Sequence, residues 1–161
     1  MNIKMLAALA ATALLAACAD TPPATDTGAA AGSGTTVPTA TGPVAGSQED
    51  LKRIGDRVFF DFDRSALKED SRAELDRQAD WLKQYMQNNV QVAGICDERG
   101  TEEYNIALGN RRARAARDYL VAKGIAASRI TTISYGKDRP SALGSTEDAW
   151  AQNRNAITSV R

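Results

Sequence analysis

The order of periodic segments in residues 47–161 predicts an α+β domain. Two long stretches repeat apolar residues at helical spacing, and four shorter ones are rich in the β-branched and aromatic residues that favour strands. With one short helix near the end, the order along the chain is βαβαβ(α)β. This order is typical of a sandwich in which two long helices cover one face of a four-stranded mixed sheet.

The strand predictions rest on side-chain alternation and on the residues just after each segment. In the first, Val58 and Phe60 alternate with Phe59 and Asp61, as in a strand with one buried face. The second ends just before Asp97, at the edge where α/β sheets usually open to ligands. The predicted strands are residues 57–62, 90–96, 130–135 and 156–160.

The helix predictions rest on apolar periodicity and on capping residues. In the first helix, Leu75, Ala79 and Leu82 recur at helical spacing after capping and acidic residues. The second ends before Gly124, which suits the left-handed position after a helix. The predicted helices begin between residues 65 and 70 and run to about 88, from 102 to 123, and from about 146 to 154.

The turn at residues 94–101 and the helix after it contain the candidate site. On a helical wheel, Asn105 and Arg112 fall in the middle of the apolar side. A buried guanidinium loses its hydration, so Arg112 needs a carboxylate partner, and Asp97 in the preceding turn is the candidate. The pattern leaves two interpretations open: an internal Asp97–Arg112 ion pair, or a cleft in which the two charges hold opposite ends of a zwitterion.

Composition excludes several classes of function. Lysine and arginine number 20, as do aspartate and glutamate, so net charge gives no support for a nucleic-acid partner. Histidine is absent, which removes Ser-His-Asp and Cys-His catalysis and the usual zinc sites. The two cysteines are far apart, and Cys96 is predicted to pack as a small apolar residue. No metal and no cofactor is predicted.

Residues 1–17 are predicted to be a bacterial lipoprotein signal peptide. Lys4 precedes an apolar run, residues 5–17, that is too short to span a bilayer and suits a signal-peptide core. The run leads into LAAC, which resembles a lipobox and makes Cys18 the predicted lipidation site; an ordinary secretory cleavage site is the alternative. Several acyl chains give stable anchoring, and by the sorting rule of enterobacterial lipoproteins Ala19 implies the outer membrane, with the domain facing the periplasm.

Residues 18–46 are predicted to be the lipidated cysteine and a disordered tether. Nearly all of them are Ala, Thr, Gly, Pro and Ser, which cannot bury enough apolar surface to offset the entropy lost on ordering. A flexible chain of this length averages about 30 Å end to end and reaches roughly 90 Å when straight. Residues 47–161 are the predicted folded domain at the end of this tether.

Four segments resemble, in the same order, the peptidoglycan-associated lipoprotein branch of the OmpA-like family. The resemblance covers about residues 47–161. It implies the OmpA-like form of the sandwich and a peptidoglycan-binding domain. The matching segments are FFDFDRS (59–65), GICDERGT (94–101), YNIALGNRRA (104–113) and YGKDRP (135–140).

The resemblance implies a site for the diaminopimelate residue of the peptidoglycan stem peptide. By position, Asp97 is expected to hold the ammonium group and Arg112 the carboxylate, a charge-assisted contact that lysine reproduces poorly. Asn105 is expected either to bind the ligand or to hold the turn. Asp61 and the backbone of residues 59–63, which begins at Phe59, are expected at the opposite rim, with a purely structural role as the alternative.

The implied function is a non-covalent and non-enzymatic link between the outer membrane and the wall, acting in envelope integrity and cell division. The implied partners are peptidoglycan and two proteins of the Tol system, the periplasmic propeller protein and the trans-envelope protein. A wall hydrolase using Asp97 and Glu98 is disfavoured, because adjacent carboxylates on an extended turn point apart whereas glycosidase carboxylates face each other across the bond.

The sequence also departs from the family pattern. Ala93 and Ile95 stand where the family usually has glutamate and histidine, Asn155 follows Arg154 where two arginines are usual, and Ser159 takes an apolar place. We expect these changes to remove polar groups near the cleft. The alternative function is therefore an envelope protein-interaction module with weakened or lost wall binding.

Overall fold

The computed structural model describes residues 42–161. The predicted signal peptide, Cys18 and the tether up to residue 41 lie outside the described residues. Within this part of the chain, no helix has both the length and the apolar character needed to cross a membrane. The elements are α1 (Gln48–Ile54), β1 (Arg57–Phe59), α2 (Glu69–Gln84), β2 (Val90–Ile95), α3 (Glu102–Ala122), a 3-10 turn (Ala127–Arg129), β3 (Ile130–Gly136), α4 (Glu147–Asn153) and β4 (Asn155–Val160).

The four strands form one mixed sheet in the order β1-β4-β2-β3. Strands β2 and β3 are parallel, whereas β4 runs antiparallel to both β1 and β2. Side chains on one face of the sheet, among them Val58, Val92 and Ala156, pack with Leu75 of α2 and Leu120 of α3. The predicted α+β sandwich, with two long helices on one face of a four-stranded mixed sheet, is confirmed.

The first strand is shorter than predicted, because it ends at Phe59 instead of residue 62. The backbone N–H of Phe60 still donates to the carbonyl of Arg154 across 2.8 Å. Beyond it the chain turns, and the carbonyls of Asp61 and Arg64 accept hydrogen bonds from the Arg112 side chain. The chain after Phe60 therefore follows the Arg112 side chain and leaves the edge of β4.

One helix boundary differs from the prediction, and one further helix is present. Helix α2 ends at Gln84 instead of near residue 88. Helix α1 was not predicted, although Ser47 caps it by accepting a hydrogen bond from the backbone N–H of Asp50 across 3.2 Å. Serine followed three positions later by an acidic residue is a recognisable start signal for a helix. The helix buries Leu51 in the core.

Two glycines allow α3 to lie directly on the sheet. A Cβ atom on Gly94 of β2 would lie 1.9 Å from the carbonyl oxygen of Gly109 in α3. A Cβ on Gly109 would lie 2.2 Å from the Ser134 hydroxyl. The absence of both side chains therefore fixes how closely α3 approaches the end of β2, and with it the distance between the helix and the Asp97 turn.

The described chain begins at the end of the sheet opposite the Asp97 turn. The Asn88 side chain donates to the carbonyl of Gly46 across 2.7 Å, and Asn88 lies just before the first residue of β2. Asp97 is the second residue after the end of the same strand. Because β2 has six residues and a strand rises about 3.3 Å per residue, the first and last residues of β2 are roughly 17 Å apart.

Candidate functional site

A cavity of about 180 Å³ opens where β2 ends. Its walls come from the turn after β2, the first half of α3 and the segment after β1. Asp97, Asn105 and Arg112, three of the residues singled out from the sequence, all line it. The other lining residues are Phe62, Asp63, Cys96, Arg99, Gly100, Tyr104 and Leu108.

Asp97 is buried, with 5% of its surface exposed, and is held by Arg99. The Arg99 side chain donates to both carboxylate oxygens, from Nε at 3.1 Å and from Nη2 at 2.7 Å, and the Arg99 backbone N–H donates to Oδ1 at 3.2 Å. Burial opposes the charge, but these hydrogen bonds and the charges of Arg99 and Arg154 outweigh it. The pKa of Asp97 therefore lies below its usual value, and the carboxylate is ionised at neutral pH.

Arg112 is more deeply buried, at 1% exposed, and backbone carbonyls hold it. It donates from Nε to the carbonyl of Arg64 (2.9 Å), from Nη1 to that of Ile95 (2.9 Å) and from Nη2 to that of Asp61 (3.1 Å). Burial lowers the pKa of Arg112, while the nearby Asp97 charge acts to raise it. The guanidinium remains protonated, as arginine does in proteins.

The requirement for a carboxylate at Arg112 was wrong, because three carbonyl dipoles take its place. In residues 42–161, Asp97 pairs with Arg99 and approaches Arg154, and no acidic side chain forms an ion pair with Arg112. Of the five N–H groups of a guanidinium, three are used in these bonds. Two N–H groups remain on a side chain that lines the cavity.

The other sequence-derived candidates occupy different positions. Asn105 is 2% exposed, and its amide donates to the carbonyls of Arg99 (2.8 Å) and Thr101 (3.1 Å), so it holds the turn while also lining the cavity. The Asp61 carboxylate lies outside the cavity, 3.6 Å from a lysine ammonium, and only its carbonyl reaches the site, through Arg112. Phe59 also lies outside, with its carbonyl accepting from a serine hydroxyl.

Two cavity residues, Arg99 and Tyr104, were missed at the level of sequence, and Phe62 and Asp63 come from the segment 59–63 that was expected at the rim. The Tyr104 hydroxyl hydrogen-bonds the Asp63 carboxylate, which joins the segment after β1 to α3. Asp63 adopts a φ of 54°, uncommon for a residue other than glycine. The Arg99 guanidinium lies between two rings, 4.0 Å from that of Phe62 and 4.2 Å from that of Trp150. The sequence offered one signal for Arg99, since it lies two positions after Asp97 and an arginine there can pair with a buried aspartate.

The departures from the family pattern lie away from this cavity. Side chains alternate along β2, so Val92 faces the helices whereas Ala93 and Ile95 line a groove on the other face of the sheet. Asn155, at the start of β4, donates to the Ser141 hydroxyl across 2.8 Å. The expectation that these substitutions remove polar groups from the cleft around Asp97 was wrong.

Cys96 packs as a small apolar residue, at 2% exposed with its thiol 3.4 Å from the carbonyl of Asn105. Burial raises the pKa of the thiol, and the Asp97 charge adds to this while Arg112 acts against it. The thiol is therefore protonated and a poor nucleophile. Among residues 42–161, no cluster of three or more acidic or cysteine side chains is placed to hold a metal ion.

Comparison with known proteins defines the family. The OmpA family profile matches residues 59–154. The chain belongs to the OmpA family. This OmpA-family chain is 55% identical over 116 residues to the peptidoglycan-associated lipoprotein of Mesorhizobium japonicum, covering 71% of the chain and 69% of the relative. It is 45% identical over 157 residues to the protein of that name from Rhizobium meliloti, covering 96% of the chain and 85% of the relative.

A solved structure supports the same assignment. The crystal structure of the peptidoglycan-associated lipoprotein from Burkholderia pseudomallei matches this OmpA-family chain with a TM-score of 0.64 and 40% identity. The match covers 66% of this chain and 90% of that one. The names of all three relatives describe association with peptidoglycan and a lipid attachment, and none describes a catalysed reaction.

Proposed function

We propose that this OmpA-family protein binds peptidoglycan non-covalently through the diaminopimelate of the stem peptide. One observation carries the proposal: Asp97 and Arg112 bring opposite charges into one cavity without pairing with each other. Buried opposite charges in this arrangement suit a ligand that carries both charges itself. The relatives, named for their association with peptidoglycan, indicate the ligand class.

In this proposal the two charged groups bind one amino-acid centre. Asp97 binds its ammonium group, and the two remaining N–H groups of Arg112 bind its carboxylate. Diaminopimelate ends in such a centre, whereas a lysine side chain ends in an ammonium group alone. A stem peptide with lysine in place of diaminopimelate has no carboxylate for the buried guanidinium of Arg112. A wall built with lysine is therefore expected to bind the protein more weakly. The apolar walls at Phe62 and Leu108 suit the methylene groups of the ligand.

The proposed role is a non-enzymatic link between the outer membrane and the wall. Lipid on Cys18 provides the membrane end, and the similarity to the Rhizobium meliloti lipoprotein over 96% of the chain supports a shared amino-terminal organisation. The proposed protein partners are the periplasmic propeller protein and the trans-envelope protein of the Tol system. Through them the protein acts in envelope integrity and cell division.

Sedimentation with purified sacculi tests the wall-binding site. The wild type and Asp97→Asn are compared with Asp118→Asn, a matched control on the exposed side of α3, where the Asp118 side chain is 67% exposed. The wild type and the control are expected to sediment with diaminopimelate sacculi, while Asp97→Asn stays in the supernatant with an unchanged circular dichroism spectrum. Equal sedimentation of Asp97→Asn would refute the site, and released muropeptides would refute the non-enzymatic role.

A second candidate function is an envelope protein-interaction module that does not bind the wall. The observation favouring it is that Arg99 already engages both oxygens of Asp97. If this function is correct, the natively folded wild type itself stays in the supernatant with sacculi. Sedimentation of the wild type decides for the first function.

A further inference from the structure

We propose that Arg99 is a displaceable internal occupant of the cation position at Asp97, and that the ammonium group of a ligand takes its place. This inference rests on the proposed function, because it concerns how the same cavity receives an ammonium group. It makes Arg99 a residue that limits affinity for the ligand.

The first argument is that Arg99 leaves the Asp97 carboxylate few free hydrogen-bond acceptor positions for the ammonium group of a ligand. A carboxylate offers about four acceptor positions, and Arg99 takes three of them with its side chain and its backbone N–H. An ammonium group at contact distance would also lie beside the guanidinium in a buried, poorly screened site, where like charges repel. The ligand and the Arg99 side chain therefore compete for the same oxygens.

The second argument is that Arg99 has other partners once it leaves Asp97. Its guanidinium is stacked between the rings of Phe62 and Trp150. Its Nη1 lies 3.8 Å from the Glu147 carboxylate, and its side chain is 31% exposed. A shift of the guanidinium along the Trp150 ring, away from Asp97 and toward Glu147, changes how it stacks on that ring and replaces part of the lost Asp97 contact with a closer ion pair to Glu147.

The third argument is that a second arginine, Arg154, lies close enough to neutralise the charge of Asp97 when Arg99 moves away. Nη1 of Arg154 is buried without a hydrogen-bond partner among the described residues, and it lies 3.6 Å from Oδ2 of Asp97. Glu147 holds the other end of that guanidinium at 2.8 Å. A small rotation of Asp97 toward Arg154 would close the gap, so the carboxylate stays ionised without Arg99. The site thus has two arrangements, one closed by Arg99 and one open to a ligand.

Removing the Arg99 charge shows whether Arg99 competes with the ligand or only positions Asp97, because the two roles predict opposite changes in ligand affinity. In Arg99→Gln, affinity for meso-diaminopimelate is expected to rise about tenfold, equivalent to ~1.4 kcal/mol. A residue that only orients Asp97 would instead lower affinity when removed. Arg117→Gln is the matched control, since Arg117 pairs with Asp118 on the outer side of α3, and it is expected to bind as the wild type does.

The experiment is a calorimetric titration of the purified protein and its variants with meso-diaminopimelate. Tighter binding by Arg99→Gln, with no binding by Asp97→Asn, supports the proposal. Equal or weaker binding by Arg99→Gln than by the wild type, with no binding by Asp97→Asn, overturns this proposal but still supports the proposed function. Absence of binding by the wild type and by Arg99→Gln overturns both.

Two further measurements guard against a folding artefact. Arg99→Lys keeps the charge but loses the two-point contact, so it is expected to bind between the wild type and Arg99→Gln; a native circular dichroism spectrum is required of each. Tryptophan emission is expected to change when the wild type binds the ligand, because the Arg99 guanidinium moves on the Trp150 ring whereas Trp81 lies in the core and does not line the cavity, and it is expected not to change in Arg99→Gln. An unchanged tryptophan emission on saturation of the wild type contradicts displacement.

Discussion

Replacing Arg112 by leucine is expected to destabilise the fold as well as abolish binding. The guanidinium joins the segment after β1, through the carbonyls of Asp61 and Arg64, to the end of β2, through that of Ile95. Each buried acceptor left without a donor costs about 1–3 kcal/mol. Removal of the buried charge and the apolar leucine offset part of this, which leaves a net loss of roughly 3–5 kcal/mol. Total stabilities of domains are only about 5–15 kcal/mol.

Urea unfolding followed by circular dichroism measures this loss. With a slope of about 1–3 kcal/mol per molar urea, the midpoint of Arg112→Leu is expected to fall by roughly 2 M. Arg114→Leu, on the exposed side of the same helix, is the matched control and is expected to shift little. A shift of Arg112→Leu no larger than the control would refute the reasoning, because it would mean that water satisfies the three carbonyls. Asp97→Asn is therefore the cleaner test of binding.

Three further outcomes are expected. Gly94→Ala places a methyl group against the Gly109 carbonyl, so α3 must move off β2; unfolding in urea is expected to reveal a loss of about 2–3 kcal/mol, with weaker sedimentation with sacculi. The pKa of Asp97 is lowered in the folded state. Its charge therefore contributes stability that is fully present above its unfolded pKa of about 4 and is lost as pH falls through the folded pKa. The urea midpoints of the wild type and Asp97→Asn are expected to differ near neutral pH and to converge in acid. Cys96 is expected to resist iodoacetamide until the protein unfolds, because its thiol is buried and the pKa of that thiol is raised. Rapid alkylation of Cys96 in the native protein, located by mass spectrometry, would contradict this.

The burial of Asn105 and Arg112 was predictable because helical periodicity depends only on residue spacing. The wheel placed both on the apolar side of α3, and both are almost fully buried. The strands and the two long helices were predictable for the same reason. The end of β1 was not predictable, because the carbonyl of Asp61 just beyond it accepts from Arg112, a tertiary contact that the local pattern does not contain.

The partners of the two charges were not predictable from residue types. Arg112 binds backbone carbonyls, which every residue carries, so nothing in the sequence distinguishes the ones that it uses. Arg99 is stacked between Phe62 and Trp150, which are far apart in the chain and meet only through the fold. Sequence reasoning therefore found the two charged residues but not the groups that hold each of them in the structure.

The entry of the chain near Gly46 and the cavity at Asp97 lie at opposite ends of β2. If lipid holds one end and wall the other, tension between them runs lengthwise along the strands. The hydrogen bonds between β2 and the antiparallel β4 are perpendicular to that direction. Tension along the strands therefore loads all of these hydrogen bonds at the same time in shear and does not break them one after another. In the proposed role, stretching of the envelope would therefore load the sheet in shear.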